Sequence, residues 1–142
     1  MKAAVYTRYG PPDVVSVRDV PTPVPSTNEL LIRVYASTVN RTDCGFRSAE
    51  YVVSRFFSGL FKPRQPILGC EYAGVVEAVG AGVTAYRIGD RVFGYDDERF
   101  GGHAEYRTAR EDDALAPIPA GFTFEEAAPL TEGAHYALGN LR

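Results

Sequence analysis

The 14 glycines and 10 prolines are spread along all 142 residues, and this punctuation confines the chain to short segments joined by turns. Long helices cannot dominate such a chain, and extended segments are expected over its first two thirds. Met1–Tyr6 alternates weakly and runs into Tyr9-Gly10-Pro11-Pro12. Val14–Val20 reads as a second strand that stops at Pro21, Pro23 and Pro25, because proline lacks the ladder donor. Glu29–Ser37, ELLIRVYAS, carries the strongest strand signal, with Leu30, Ile32 and Val34 on an aliphatic face opposite Leu31, Arg33 and Tyr35. Gly74–Gly80, Asp90–Tyr95 and His103–Arg107 add further short strands, with turns at Gly80-Ala81-Gly82 and Gly89-Asp90. So many short strands predict a barrel or a sandwich.

Two helical pieces interrupt this pattern. Tyr51–Lys62 sets Val52, Phe56 and Leu60 at four-residue spacing, as an amphipathic helix in need of cover would. Thr123-Phe124-Glu125-Glu126 is a capping box and starts a helix that Pro129 ends or kinks, with a further helix over Thr131–Leu141. No internal repeat or low-complexity tract marks a boundary, so one domain is expected. With 45% apolar residues a domain of this length buries roughly 68–70% of its unfolded surface, and needs neither disulfides nor a structural metal. A net charge of −3 argues against nucleic acid or an acidic membrane as the main partner, since both call for a basic face. No apolar run approaches the ~20 residues of a membrane span, and MKAAVYTRYG lacks the core of a signal peptide, so a cytoplasmic address is expected. Cys44 and Cys70 match neither a disulfide scaffold nor paired CxxC knuckles, and read as free thiols.

Two segments are dense enough in polar residues and glycine to suggest a site. Asn40-Arg41-Thr42-Asp43-Cys44 comes directly after the strongest strand and continues to Arg47 and Tyr51. Residues at a strand's exit can point into a cleft, although the same segment also reads as a turn in which Asp43 bonds nearby amides. Pro66–Gly74 places Glu71 among apolar and small residues, where its burial is costly unless an arginine or amides hold it. Glu71 is therefore either a member of a structural ion pair or a site residue. Gly69 and Gly74 read as close-packing or bulge glycines. Cys44, Cys70, His103 and His135 share no short ligand spacing, which speaks against zinc. Neither GxGxxG nor GxxxxGKS occurs, nor does a GxSxG elbow, so no cofactor or nucleophile motif is present.

In order along the chain, Met1–Tyr9 with Pro11-Pro12-Asp13-Val14, Asn28–Val34, PILGCEYAGVVEAVGAGVTAYRIGDRVFG from Pro66 to Gly94, GGHAEY and IPAGFTFEEAAPL resemble the N-terminal catalytic lobe of medium-chain dehydrogenases/reductases. The resemblance is strongest to the zinc-independent, quinone oxidoreductase-like members, and it implies a GroES-like, partly open β-barrel. In the zinc alcohol dehydrogenases of that family a cysteine and a histidine stand where this chain has Asn40 and Cys70. The stretch Arg91–His103, where that branch carries its structural-zinc cysteines, contains no cysteine. The resemblance thus implies no metal. Asn40, Asp43, Arg47 and Tyr51 match the family's NxxDxxxRxxxY pattern, while Gly45 departs from a tyrosine carried by some members.

By that resemblance Tyr51, Asn40 and Asp43 are the catalytic candidates, and Arg41, Thr42, Arg47, Cys70 and Glu71 line the substrate cleft. Asn40 and Thr131 border the cofactor. The implied reaction is hydride transfer from NADPH or NADH to a quinone, enone or other activated carbonyl, in a homo-oligomeric enzyme acting on a small molecule. In the family the dinucleotide sits on a Rossmann lobe located after this one in the chain, and Arg142 falls before it, so these residues are expected not to hold NADPH tightly alone. Two rivals stand beside this expectation: a noncatalytic GroES-like module using Tyr51–Lys62 as a contact surface, and a zinc alcohol dehydrogenase with substituted ligands.

Overall fold

A computed structural model describes residues 1–49 and 52–141. Along the chain run β1 (Lys2–Tyr6), β2 (Val15–Asp19), β3 (Glu29–Ser37), α1 (Arg41–Ser48), α2 (Val52–Ser58), β4 (Glu71–Val79), β5 (Arg91–Tyr95), β6 (Tyr106–Arg110), β7 (Leu115–Pro117), α3 (Phe124–Ala127) and α4 (Glu132–Asn140). Strands β1 and β2 form an antiparallel pair, and the remaining strands form one antiparallel sheet in the order β6-β3-β4-β5-β7. Both sheets are open. Single bridges from Ala3 to Ala104 and from Val5 to Ile67 tie β1 to the larger sheet's connections, in agreement with the partly open GroES-like architecture.

The aliphatic face of β3 is the reason the sheet has an inside. Leu30 and Ile32 are fully buried and pack with Tyr72 and Val76 of β4, Val92 of β5 and Ala109 of β6. Each such aliphatic side chain contributes about 1.5–3 kcal/mol by leaving water. Arg33 and Tyr35 lie on the exposed face, as the alternation predicts. A second cluster of Tyr6, Leu68, Cys70 and Phe100 fills the space between β1 and the start of β4. Ala73, Ile118, Ala127 and Ala128 seat α3 on the other side of β4.

Several expectations shift in detail. The strand expected over His103–Arg107 begins at Tyr106, because Gly101 has a left-handed φ of 95° and Gly102 bonds back to Gly69, which turns the chain before pairing starts. The segment Asn40–Cys44 is the cap and first turn of a helix. The expected helix over Tyr51–Lys62 covers Val52–Ser58 and ends at Gly59, whose φ of 120° stops the helix, and the Gly59 carbonyl accepts from Tyr9 Oη at 2.6 Å. Of its stripe, Phe56 and Leu60 are exposed, as is the adjacent Val53, while the Val52 side chain lies outside the described residues. Thr123 and Glu126 form the expected reciprocal cap, and Pro129 sits in a 3₁₀ turn between α3 and α4. Gly69 is a close-approach glycine: its φ is 95°, and a Cβ there would lie 2.4 Å from the His103 nitrogen.

Candidate functional site

The strand β3 delivers Thr38 and Asn40 to the edge of the core, and Asn40 sets where the next helix begins. Its Oδ1 accepts from the Asp43 amide at 3.0 Å while Asp43 Oδ2 accepts from the Asn40 amide at 3.2 Å, a reciprocal cap that starts α1. Such a cap is worth about 1 kcal/mol. The Asn40 Nδ2 group donates to Cys70 Sγ at 3.0 Å and to Glu71 Oε2 at 3.3 Å. Both amide hydrogens are thereby committed, and only a second lone pair on Oδ1 stays open. The other Asp43 oxygen accepts from the Gly69 amide at 2.9 Å, which locks α1 to the approach to β4.

Glu71 is 3% exposed and bonds no arginine among the described residues; neutral donors surround it. Oε2 accepts from Thr38 Oγ1 at 2.6 Å and from Asn40, while Oε1 accepts from Thr131 Oγ1 and the Glu132 amide, both at 2.7 Å. Burial pushes its carboxyl pKa upward, but these donors together outweigh burial and hold it below the ordinary glutamate value. With about four lone-pair sites filled, this carboxylate has none left for a substrate proton. Glu71 is instead the knot joining β3, α1, β4 and α4. Cys70, fully buried beside it, has its thiol pKa pushed up to about 12 by burial and by the carboxylates of Asp43, Glu132 and Glu71, against the opposing bond from Asn40. It is a neutral thiol.

The structure therefore gathers Asn40, Thr42, Asp43, Cys70, Glu71 and Thr131 in one network. Arg47 is not part of it: its Nη1 donates to the Gly10 carbonyl at 2.6 Å, tying α1 to the loop after β1. Arg41 is exposed and no bond among the described residues joins it to the network. Tyr51 lies outside the described residues. Three members went unnoticed as a group in the sequence. Glu132, 8% exposed, accepts from Thr42 Oγ1 across 90 positions. Thr38 bonds Glu71 as above, and His103 Nε2 lies 2.7 Å from the Thr38 carbonyl and 3.8 Å from Asp43 Oδ2. Since a carbonyl only accepts, that nitrogen carries the proton. A polar residue in a first helical turn, such as Glu132, normally faces water, and no local signal distinguishes this one.

Beside the network, α4, β5 and the edge strand β7 enclose a cavity of about 550 Å³, with Thr131, Glu132 and Tyr136 on one side and Phe93, Tyr95 and Leu115 on the other. The donor set does not suit zinc. Asn40 directs an N–H at the sulfur, Cys70 is held as the thiol, and no three His, Cys, Asp or Glu side chains converge among the described residues. No helix of the described residues is long and apolar enough to cross a membrane.

A profile of the alcohol dehydrogenase GroES-like domain matches residues 26–120, which include Asn40, Asp43, Cys70 and Glu71. The chain belongs to the alcohol dehydrogenase GroES-like domain family. This GroES-like chain is 38% identical over 132 residues to a quinone oxidoreductase of Mus musculus, matching 92% of its own length and 37% of the relative's. Among solved structures, the quinone oxidoreductase from Coxiella burnetii superposes with a TM-score of 0.87 at 31% identity, over 99% of this chain and 44% of the other. The Escherichia coli quinone oxidoreductase complexed with NADPH gives a TM-score of 0.81 at 26% identity, over 100% of this chain and 40% of that one. The GroES-like chain thus spans well under half the length of these relatives, within the medium-chain dehydrogenase/reductase superfamily.

Proposed function

We propose that these residues form the substrate-side lobe of a zinc-independent NAD(P)H-dependent oxidoreductase that reduces a quinone, an enone or a related activated carbonyl. A nucleotide-binding lobe outside the 142 residues would hold the dinucleotide. The observation that carries the reading is the Asn40–Cys70–Glu71 contact, a hydrogen-bonded organic network at the centre of a GroES-like lobe whose relatives are quinone oxidoreductases.

The residues suit a nicotinamide ring through their remaining acceptors. Asn40 Oδ1 keeps one lone pair, and Thr131 Oγ1, having donated its hydrogen to Glu71, offers its own, so both complement the hydrogens of a carboxamide. When bound, the cofactor supplies the hydride. The protein's part is orientation and electrostatics. Asp43 and Glu71 fix the strand exit and the start of α4, and Thr42 holds Glu132 against α1. Both Asn40 hydrogens and the hydroxyls of Thr42 and Thr131 point at sulfur or carboxylate, so none of them can serve a developing oxyanion. That role would fall to the Tyr51 hydroxyl, to Arg41 or Arg47, or to backbone amides. The enzyme is proposed to act in the cytoplasm as a homo-oligomer.

The test compares NADPH oxidation, with duroquinone as acceptor, by the 142-residue chain alone and by the same chain joined to a nucleotide-binding lobe. Turnover is expected only when both lobes are present. Enzyme-like oxidation by the chain alone would overturn the reading.

A further inference from the structure

We propose that the cavity between α4 and the β5–β7 edge is a charge filter, a pocket that accepts a neutral, apolar carbonyl-bearing ring and rejects an anionic one. The inference rests on the substrate-lobe reading above and names the substrate class that lobe would select. Phe93, Tyr95, Leu115 and Tyr136 give the pocket aromatic and aliphatic walls suited to a flat ring. Its charged groups are of one sign. Asp97 stands exposed at the mouth and Glu132 lies buried at the inner end, no lysine or arginine lines the pocket among the described residues, and the imidazole of His135 on α4 is the one basic side chain in its lining.

Glu132 is pinned. Its Oε1 accepts from Thr42, and Oε2 has no hydrogen-bond donor among the described residues, so its charge is left to act on whatever enters. Tyr95 adds no third anion. Burial first, then Asp97, Cys70 and Glu132, and its own hydrogen bond to the Asp97 carboxylate, keep its phenol protonated. A neutral quinone or enone therefore meets apolar walls and carries no charge for Asp97 and Glu132 to repel. A carboxylate or sulfonate on the same ring meets two like charges and no counter-charge, which raises its cost of entry.

The test uses a matched pair, 2-(hydroxymethyl)anthraquinone and anthraquinone-2-carboxylate, whose fused quinoid carbons do not add the Cys44 thiol. Each is titrated into the 142-residue chain at pH 8, above the ordinary imidazole range, with NMR signals of Tyr95 and Tyr136 as the readout. The neutral compound is expected to shift both signals, and the carboxylate to bind at least about tenfold more weakly, equivalent to about 1.4 kcal/mol of repulsion. Asp97→Asn, at an exposed position, should narrow the gap, and Asp97→Asn with Glu132→Gln should close it to within about twofold. Equal affinities in the unsubstituted chain, a gap that neither variant moves, or shifts confined to other residues would each overturn the filter. The two proposals fail separately: loss of discrimination with intact hydride transfer sinks only the filter, and discrimination without any NADPH oxidation by the two-lobe protein sinks only the function.

Discussion

Asn40 divides its side chain among a helix cap, a thiol and a carboxylate, and this division explains why the neighbouring groups are chemically quiet. The buried carboxylate of Glu71 depends on its donors, so Glu71→Gln, which places an amide N–H where a donor now points, should cost about 1.5–3 kcal/mol in urea unfolding at pH 7. Because the folded pKa of Glu71 lies below its unfolded value, its contribution is fully present above about pH 4.3 and disappears as pH falls through the folded value. The Gln variant should therefore lose less stability than the parent between pH 5 and pH 3, as measured by its urea midpoint. The thiols separate in the same way. Cys44 is exposed and Cys70 is buried, neutral and bonded, so a thiol reagent at pH 8 should label Cys44 in the native chain and reach Cys70 only after denaturation. Rapid native labelling of both would contradict the network. None of these pairings could be read from the sequence, since Asn40 meets Cys70 across 30 positions and Thr42 meets Glu132 across 90. The sequence marked Glu71 as a buried carboxylate that an arginine or amides must hold, but not that threonine hydroxyls would share that task with the amides.

Strands were legible where one face was uniformly aliphatic, as over Glu29–Ser37, and where a cap announced the element, as at Thr123. Helix α1 was not. Its eight residues, RTDCGFRS, contain a glycine and almost no apolar stripe, so its stability comes from the Asn40 cap and from the Asp43 bond to Gly69. Two glycines test this account in opposite directions. Gly45 lies inside α1 with open space where a Cβ would stand, so Gly45→Ala should stabilise the chain by about 0.5–1 kcal/mol. Gly69 has a left-handed φ and the backbone of Gly102 and His103 within contact, so Gly69→Ala should destabilise by more than about 1 kcal/mol and displace the Asp43 bond. Thermal melts of the two variants should move apart, and a common direction would refute the packing described for α1.

Across the whole molecule, two open sheets, a knot at Glu71 that joins four elements, and a cavity beside α4 are built from one chain. The short strands announced the fold class in the sequence, while the cavity depends on where α4 lands and has no local signature. If Tyr51 is the oxyanion donor, Tyr51→Phe in the two-lobe enzyme should lower kcat by roughly 10²–10³-fold with little change in quinone KM, and unchanged turnover would remove it from the mechanism. The central claim is that this lobe supports hydride transfer through an organic network without zinc. Its most direct test is the rate of NADPH-dependent duroquinone reduction by the two-lobe enzyme before and after exhaustive chelation. The account predicts the same rate in both states and no gain on adding zinc; a rate that collapses on chelation and returns with one zinc per chain would contradict it.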